Sequence, residues 1–294
     1  MTSEEKKLNV KRIIIFILLA FIPSYALGIA FSDHKGGVTT MAGGFTFMFY
    51  PAIANILTRV ITKEGVEGHY LKAHFKKNKS IYILAAVMPL IAGFINLLSI
   101  HFLFDRSNDM GVLLNESLEG NGMKVFVPLI ILSYIQSFPL IAMGFGEEFG
   151  WRAYLTPKLE KLMPRLPACC ITGVVWALWH APFIWYGYDF GKDYPGFPYL
   201  GILAMCVCCI PLSYVLTWMT EKTKSVYPAA ICHMMIDNVM NIPGALMLDK
   251  DSVNDNSLAS GIIVLGLCPM IFTVVLLVGK LITGPKDRAV RSEI

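Results

Sequence analysis

Eight apolar runs, near residues 12–31, 39–60, 81–104, 125–146, 166–186, 197–219, 225–247 and 258–283, govern what this 294-residue chain can become. Each is long enough to cross a bilayer as a helix, which takes roughly 20 mostly apolar residues. Prolines at 23, 51, 89, 139, 211 and 269 fall inside these runs. They would break soluble helices, whereas neighbouring spans can re-satisfy the carbonyls they free. The predicted fold class is therefore all-α, a polytopic membrane protein of about eight transmembrane helices.

Charge orders the connections. Twenty of the 25 lysines and arginines fall in the two terminal segments and in alternate loops: Lys6 to Arg12, Arg59 to Lys79, Arg152 to Arg165, Lys222 with Lys224, and Lys280 to Arg291. Assigned to the cytoplasm, these segments put both termini there. The remaining five sit among acids such as Asp105, Asp109, Glu116, Glu119, Asp249, Asp251 and Asp255. The basic run at residues 72–79, KAHFKKNK, reads as a positive-inside anchor against lipid head groups. The net charge of +4 is spread over short segments instead of one face, so no nucleic-acid partner is expected. All seven cysteines lie inside apolar runs and read as small hydrophobes.

Within that apolar background, ionisable residues cluster in the second half. GFGEEFGWRAYL brings Glu147, Glu148 and Arg152 to the end of the fourth span. WALWHAPF brings His180 to the fifth, and CHMMIDN brings His233, Asp237 and Asn238 to the seventh. Each costs roughly 2.5–3.5 kcal/mol at a bilayer centre, so they are expected to partner one another. Residues four apart on a helix share a face while neighbours diverge by about 100°. Glu148 can therefore reach Arg152 while Glu147 stays free for chemistry, and Asp237 lies one turn from His233.

A free glutamate beside two histidines suits hydrolysis: Glu147 as general base on water, His180 orienting that water, His233 serving the oxyanion. The same residue types suit zinc, with His180, His233 and Glu147 as ligands, although they come from separate helices and no His-Glu-x-x-His run exists. Depth poses a problem, because His180 counts out deeper than Glu147; tilt, an interfacial start to the fifth helix near Pro164 and Pro167, or a longer fourth helix running to Pro157 would each reconcile them. Trp176, Trp179, Trp185 and Phe183 read as packing or interfacial aromatics.

Three motifs carry a likeness. EEFGWR at 147–152, WALWH at 176–180 and HMMID at 233–237 together resemble the signature of the CAAX protease and bacteriocin-processing family, also called the Abi family, of intramembrane endopeptidases. The resemblance implies catalytic Glu147, His180, His233 and Asp237, with Glu148, Arg152 and Asn238 supporting them. It implies a catalytic core at 125–247 between helices one to three (1–124) and a last helix with a basic tail (248–294). It leaves both a zinc-dependent and a metal-free reaction open, with a peptide or protein substrate at the membrane. The plasma membrane or an endomembrane is the expected location. Two further readings use the same residues: a non-catalytic immunity or scaffold protein, and a proton-coupled transporter.

Overall fold

The computed structural model describes residues 1–31, 38–103, 122–187, 190–240, 262 and 266–283. These residues form helices and short connections, with no strand among them. The chain is an all-helical, multi-pass membrane protein. In order, the helices are α1 (Ser3–Phe31), α2 (Val38–Ile61), α3 (Lys79–Leu103), α4 (Gly122–Gly150), α5 (Thr156–Glu160), α6 (Arg165–Trp179), α7 (Ala181–Ile184), α8 (Tyr199–Thr223), α9 (Tyr227–Asn238) and α10 (Cys268–Thr283). A single π-turn, Trp151–Leu155, joins α4 to α5.

Every expected span coincides with a helix, but not all are alike. Five stretches are long and apolar enough to cross a bilayer: Ser3–Ala30, Lys79–Asn96, Val127–Glu160, Arg165–Ile184 and Tyr199–Thr223. Thr46–Ile61 and Cys268–Val278 are shorter apolar helices. The seventh expected span is represented by the 12-residue α9. Residues 104–121 and 241–261, which carry most of the acidic connections, lie outside the described residues. The side chain of Pro269's neighbour Cys268 meets the Ala92 carbonyl at 3.7 Å, setting α10 against α3.

Small residues bring the central helices close. A Cβ on Gly150 would lie 2.3 Å from Pro51 Cβ, and one on Gly144 would lie 2.7 Å from the Ala230 carbonyl oxygen. α4 thus seats α2 on one side and α9 on the other at backbone distance, a device typical of membrane helices.

The fourth span does not end near residue 146. It continues through the π-turn to Glu160, a run of 34 residues from Val127. At about 1.5 Å per residue, Glu147 sits about 20 Å from the Glu160 end and His180 about 22 Å from the start of α6, so the depth mismatch disappears. Two bonds stabilise the π-turn. The Thr156 amide reaches the Trp151 carbonyl, and the buried Asn55 side chain of α2 donates to the Phe149 carbonyl at 2.7 Å.

The fifth span is broken where one continuous helix was expected. Pro182 has no N–H to donate to the Leu178 carbonyl four residues earlier. That carbonyl is instead taken by the Tyr25 hydroxyl of α1 at 2.8 Å. His180 therefore stands at the joint between α6 and α7.

Candidate active site

Glu147 and Glu148 are adjacent and fully buried, yet they face different partners. Arg152, one turn on, sets its Nε 3.0 Å from Glu148 Oε2 with both side chains at zero exposure. The other Glu148 oxygen accepts from His233 Nδ1 at 2.8 Å, so one carboxylate ties α4 to α9. On the far side of the imidazole, Nε2 lies 3.7 Å from Asp237 Oδ2. Asp237 is the open edge of the cluster, its side chain 42% exposed.

Glu147 is held by two tryptophans. Trp176 Nε1 donates to its Oε2 at 2.7 Å, and Trp151 Nε1 donates to the same oxygen at 3.3 Å. An indole N–H can only donate, so both bonds require Oε2 as acceptor and leave Oε1 unoccupied by them. The Trp176 ring also lies beneath the Arg152 guanidinium, 4.2 Å from its centroid, and makes an edge contact with His233 at 5.3 Å. Its backbone carbonyl is 3.0 Å from His180 Nδ1. A carbonyl only accepts, which places the proton on Nδ1 and leaves Nε2 as an acceptor.

Glu147, Glu148, Arg152, His180, His233 and Asp237 thus form one neighbourhood. Asn238 does not enter it: its amide donates to the Met234 carbonyl of its own helix at 2.8 Å. Trp176 and Trp151 are the residues that reading by residue class missed, because tryptophan is so common in membrane cores and belts. The available signal was spacing: Trp151 follows Glu147 by four residues, and Trp176 precedes His180 by four. Trp179 keeps a packing role, stacked on Phe47 with centroids 3.5 Å apart and bonded to Ser24 Oγ at 2.7 Å.

His180, His233 and Glu147 are the residues that would hold a zinc ion. Among the described residues no three His, Cys, Asp or Glu side chains gather as a metal-binding group. His233 Nδ1 is spent on Glu148, and Glu147 Oε2 carries two indole donors. The seven cysteines are all free thiols.

The family profile described as "Type II CAAX prenyl endopeptidase Rce1-like" matches residues 120–239. Among curated proteins, a CAAX prenyl protease 2 of Methanococcus maripaludis is 31% identical over 128 residues, covering 38% of this chain and 39% of that protein. A lysostaphin resistance protein A of Staphylococcus haemolyticus is 29% identical over 188 residues, covering 63% of this chain and 46% of its own length. Its counterpart from Staphylococcus epidermidis is 26% identical, with 63% and 44% covered. The chain spans less than half the length of these curated relatives. Residues 120–239, the segment bearing Glu147, His180 and His233, are thus similar to the Rce1-like CAAX prenyl endopeptidases.

Proposed function

We propose that this protein is an intramembrane endopeptidase in which Glu147 activates water to cleave peptides or protein tails presented at the membrane. The observation that carries the reading is the asymmetric hold on Glu147: two indole donors fix Oε2, and Oε1 is left to take a proton. Water placed between Oε1 and Nε2 of His180 gives its proton to Glu147 as its oxygen bonds to the scissile carbonyl carbon. The carbonyl oxygen becomes an oxyanion, and His233 Nε2, when protonated, donates to it. The tetrahedral intermediate then collapses. The C–N bond breaks and Glu147 returns the proton to the departing amine.

Glu148 and Arg152 act through His233, which their ion pair holds in place. Where the family pattern allows Asn, Asp237 supplies a carboxylate that orients His233 instead of donating to the oxyanion. No step is routed through a metal. The half-exposed Asp237 edge is the side from which substrate approaches.

A second reading has its own support. The longer matches are to proteins named for lysostaphin resistance, not for cleavage. A membrane protein that binds a peptide through the same cluster without cutting it would fit those names. One comparison separates the two: peptide termini in membrane and secreted fractions from cells making the wild type or Glu147→Gln at matched levels. New termini present only with the wild type are expected. Identical termini with the phenotype kept in both would establish the binding reading instead.

A further inference from the structure

Hydrolysis consumes water, and a site enclosed by apolar helices needs a polar route for its arrival. α6 and α8 run antiparallel with facing residues in register. Arg165 Nη1 meets Glu221 Oε2 at 2.5 Å, and the Cys169 thiol lies beside the Thr217 hydroxyl. Further along, a Cβ on Gly173 would come within 2.5 Å of Ile210 Cα, so the backbones nearly touch. Ser213, Thr217 and Glu221 fall four residues apart on one face of α8, as Arg165 and Cys169 do on α6. The same edge of α6 ends at Trp176, whose ring carries the Arg152 guanidinium.

This seam is buried, yet it is lined with unpaired polar atoms. Ser213 Oγ, Arg152 Nη1 and Nη2, and Arg165 Nε and Nη2 have no hydrogen-bond partner among the described residues, and Thr217 Oγ1 has only the weakly bonding Cys169 thiol beside it there. Ser213, Thr217 and Arg152 are each at most 2% exposed. Arg152 lies within electrostatic reach of Cys169 on α6 and Cys232 on α9, which places its free N–H groups where those helices meet. Buried donors without acceptors are costly, and ordered water is their usual partner. One step of four residues along a helix is about 6 Å, too long for a direct hydrogen bond and suited to one or two bridging waters.

We infer that the α6–α8 interface holds a file of bound water running from the Arg165–Glu221 pair, past Thr217 and Ser213, to the Arg152 guanidinium beneath the Glu147 site. Its role as the supply of hydrolytic water rests on the protease reading; its existence does not. Arg152, fixed on one side by Glu148, offers two amino groups to the last waters of the file. Trp176 separates these waters from the substrate side.

Hydroxyl-radical footprinting with synchrotron X-rays tests this on the full-length protein in lipid nanodiscs, because radicals form from water where it is bound. Cys169 and Cys208 are equally buried, at 0% and 2% exposure, and only Cys169 lies on the seam. Cys169 is expected to be labelled about tenfold faster than Cys208, since a dry cavity contributes no radicals. Thr217→Val should slow labelling of Cys169, and Thr217→Ser should restore it. Ser213→Ala serves as a second interruption should the valine variant fold poorly. Labelling of Cys169 as slow as that of Cys208 would overturn the inference while leaving the protease reading intact. If the seam is labelled, Thr217→Val should also lower kcat at unchanged KM; an unchanged kcat would remove the supply role. Absence of cleavage by the wild type would count against the protease reading alone.

Discussion

The Trp176 indole joins a bond to Glu147, a platform for Arg152 and an edge contact with His233. Phenylalanine would keep an aromatic ring here while removing the N–H together with one ring of the indole. Hydrogen bonds to charged groups contribute roughly 1.5–3 kcal/mol, so Trp176→Phe should lower kcat by at least about tenfold. KM should stay near its wild-type value, because the indole bonds to Glu147, the proposed base. Steady-state cleavage of a reporter peptide measures both. Glu147, His180 and His233 were legible in the sequence because an ionisable group within an apolar run has few explanations. Trp176 was not, since its function depends on where one N–H points. Which donor atoms of His233 and Glu147 are engaged is likewise tertiary: Glu148 holds Nδ1 of the imidazole and the indoles hold Oε2 of the carboxylate.

At the scale of helices, apolar length located all the spans, and the interruptions inside them stayed hidden. Pro182 was visible, but its consequence depends on Tyr25, 157 residues earlier in the chain, accepting the role of donor to Leu178. The π-turn has no local signature of comparable clarity; it exists with Asn55 bonded to the Phe149 carbonyl. Close helix contact makes a prediction here. A methyl group on Gly150 would stand 2.3 Å from Pro51 Cβ and 2.7 Å from the Pro51 carbonyl oxygen, so α2 and α4 must part. Gly150→Ala should destabilise the protein by about 1–3 kcal/mol, the usual cost of overpacking. A thermal melt in detergent would show it as a lowered Tm, and an unchanged Tm would mean that the two helices slide apart freely.

Across the whole molecule, Glu64 gathers elements that are distant in sequence. It pairs with Arg12 of α1 at 3.3 Å and with Lys158 of α5, and accepts from the Tyr154 hydroxyl at 3.0 Å. Burial alone would raise the pKa of its carboxyl group, but bonding to Lys158, the Lys158 charge, Tyr154 and Arg12 outweigh burial and hold it below the usual carboxylate value. A carboxyl depressed in the folded state contributes stability above its unfolded pKa, near 4.3, and loses it as pH falls through the lower folded value. The Tm of the wild type should therefore drop on acidification below about pH 4, and Glu64→Gln should start lower at neutral pH and show a smaller acid-induced drop. Parallel melts of the two proteins across pH 3–7 would check this, and equal slopes would remove the cluster from the acid response.

The Tyr25, Ser24, Phe47 and Asn55 contacts have a consequence for how such chains are compared. All four lie before residue 120, yet they cap the Leu178 and Phe149 carbonyls and brace Trp179 beside His180. The family likeness begins at residue 120, so an alignment confined to it keeps Glu147, His180 and His233 and discards the scaffold that holds them. Two members could share every motif residue and still differ in competence because their first two helices differ. Grafting 120–239 between relatives should therefore carry activity only when residues 24, 25, 47 and 55 travel with it.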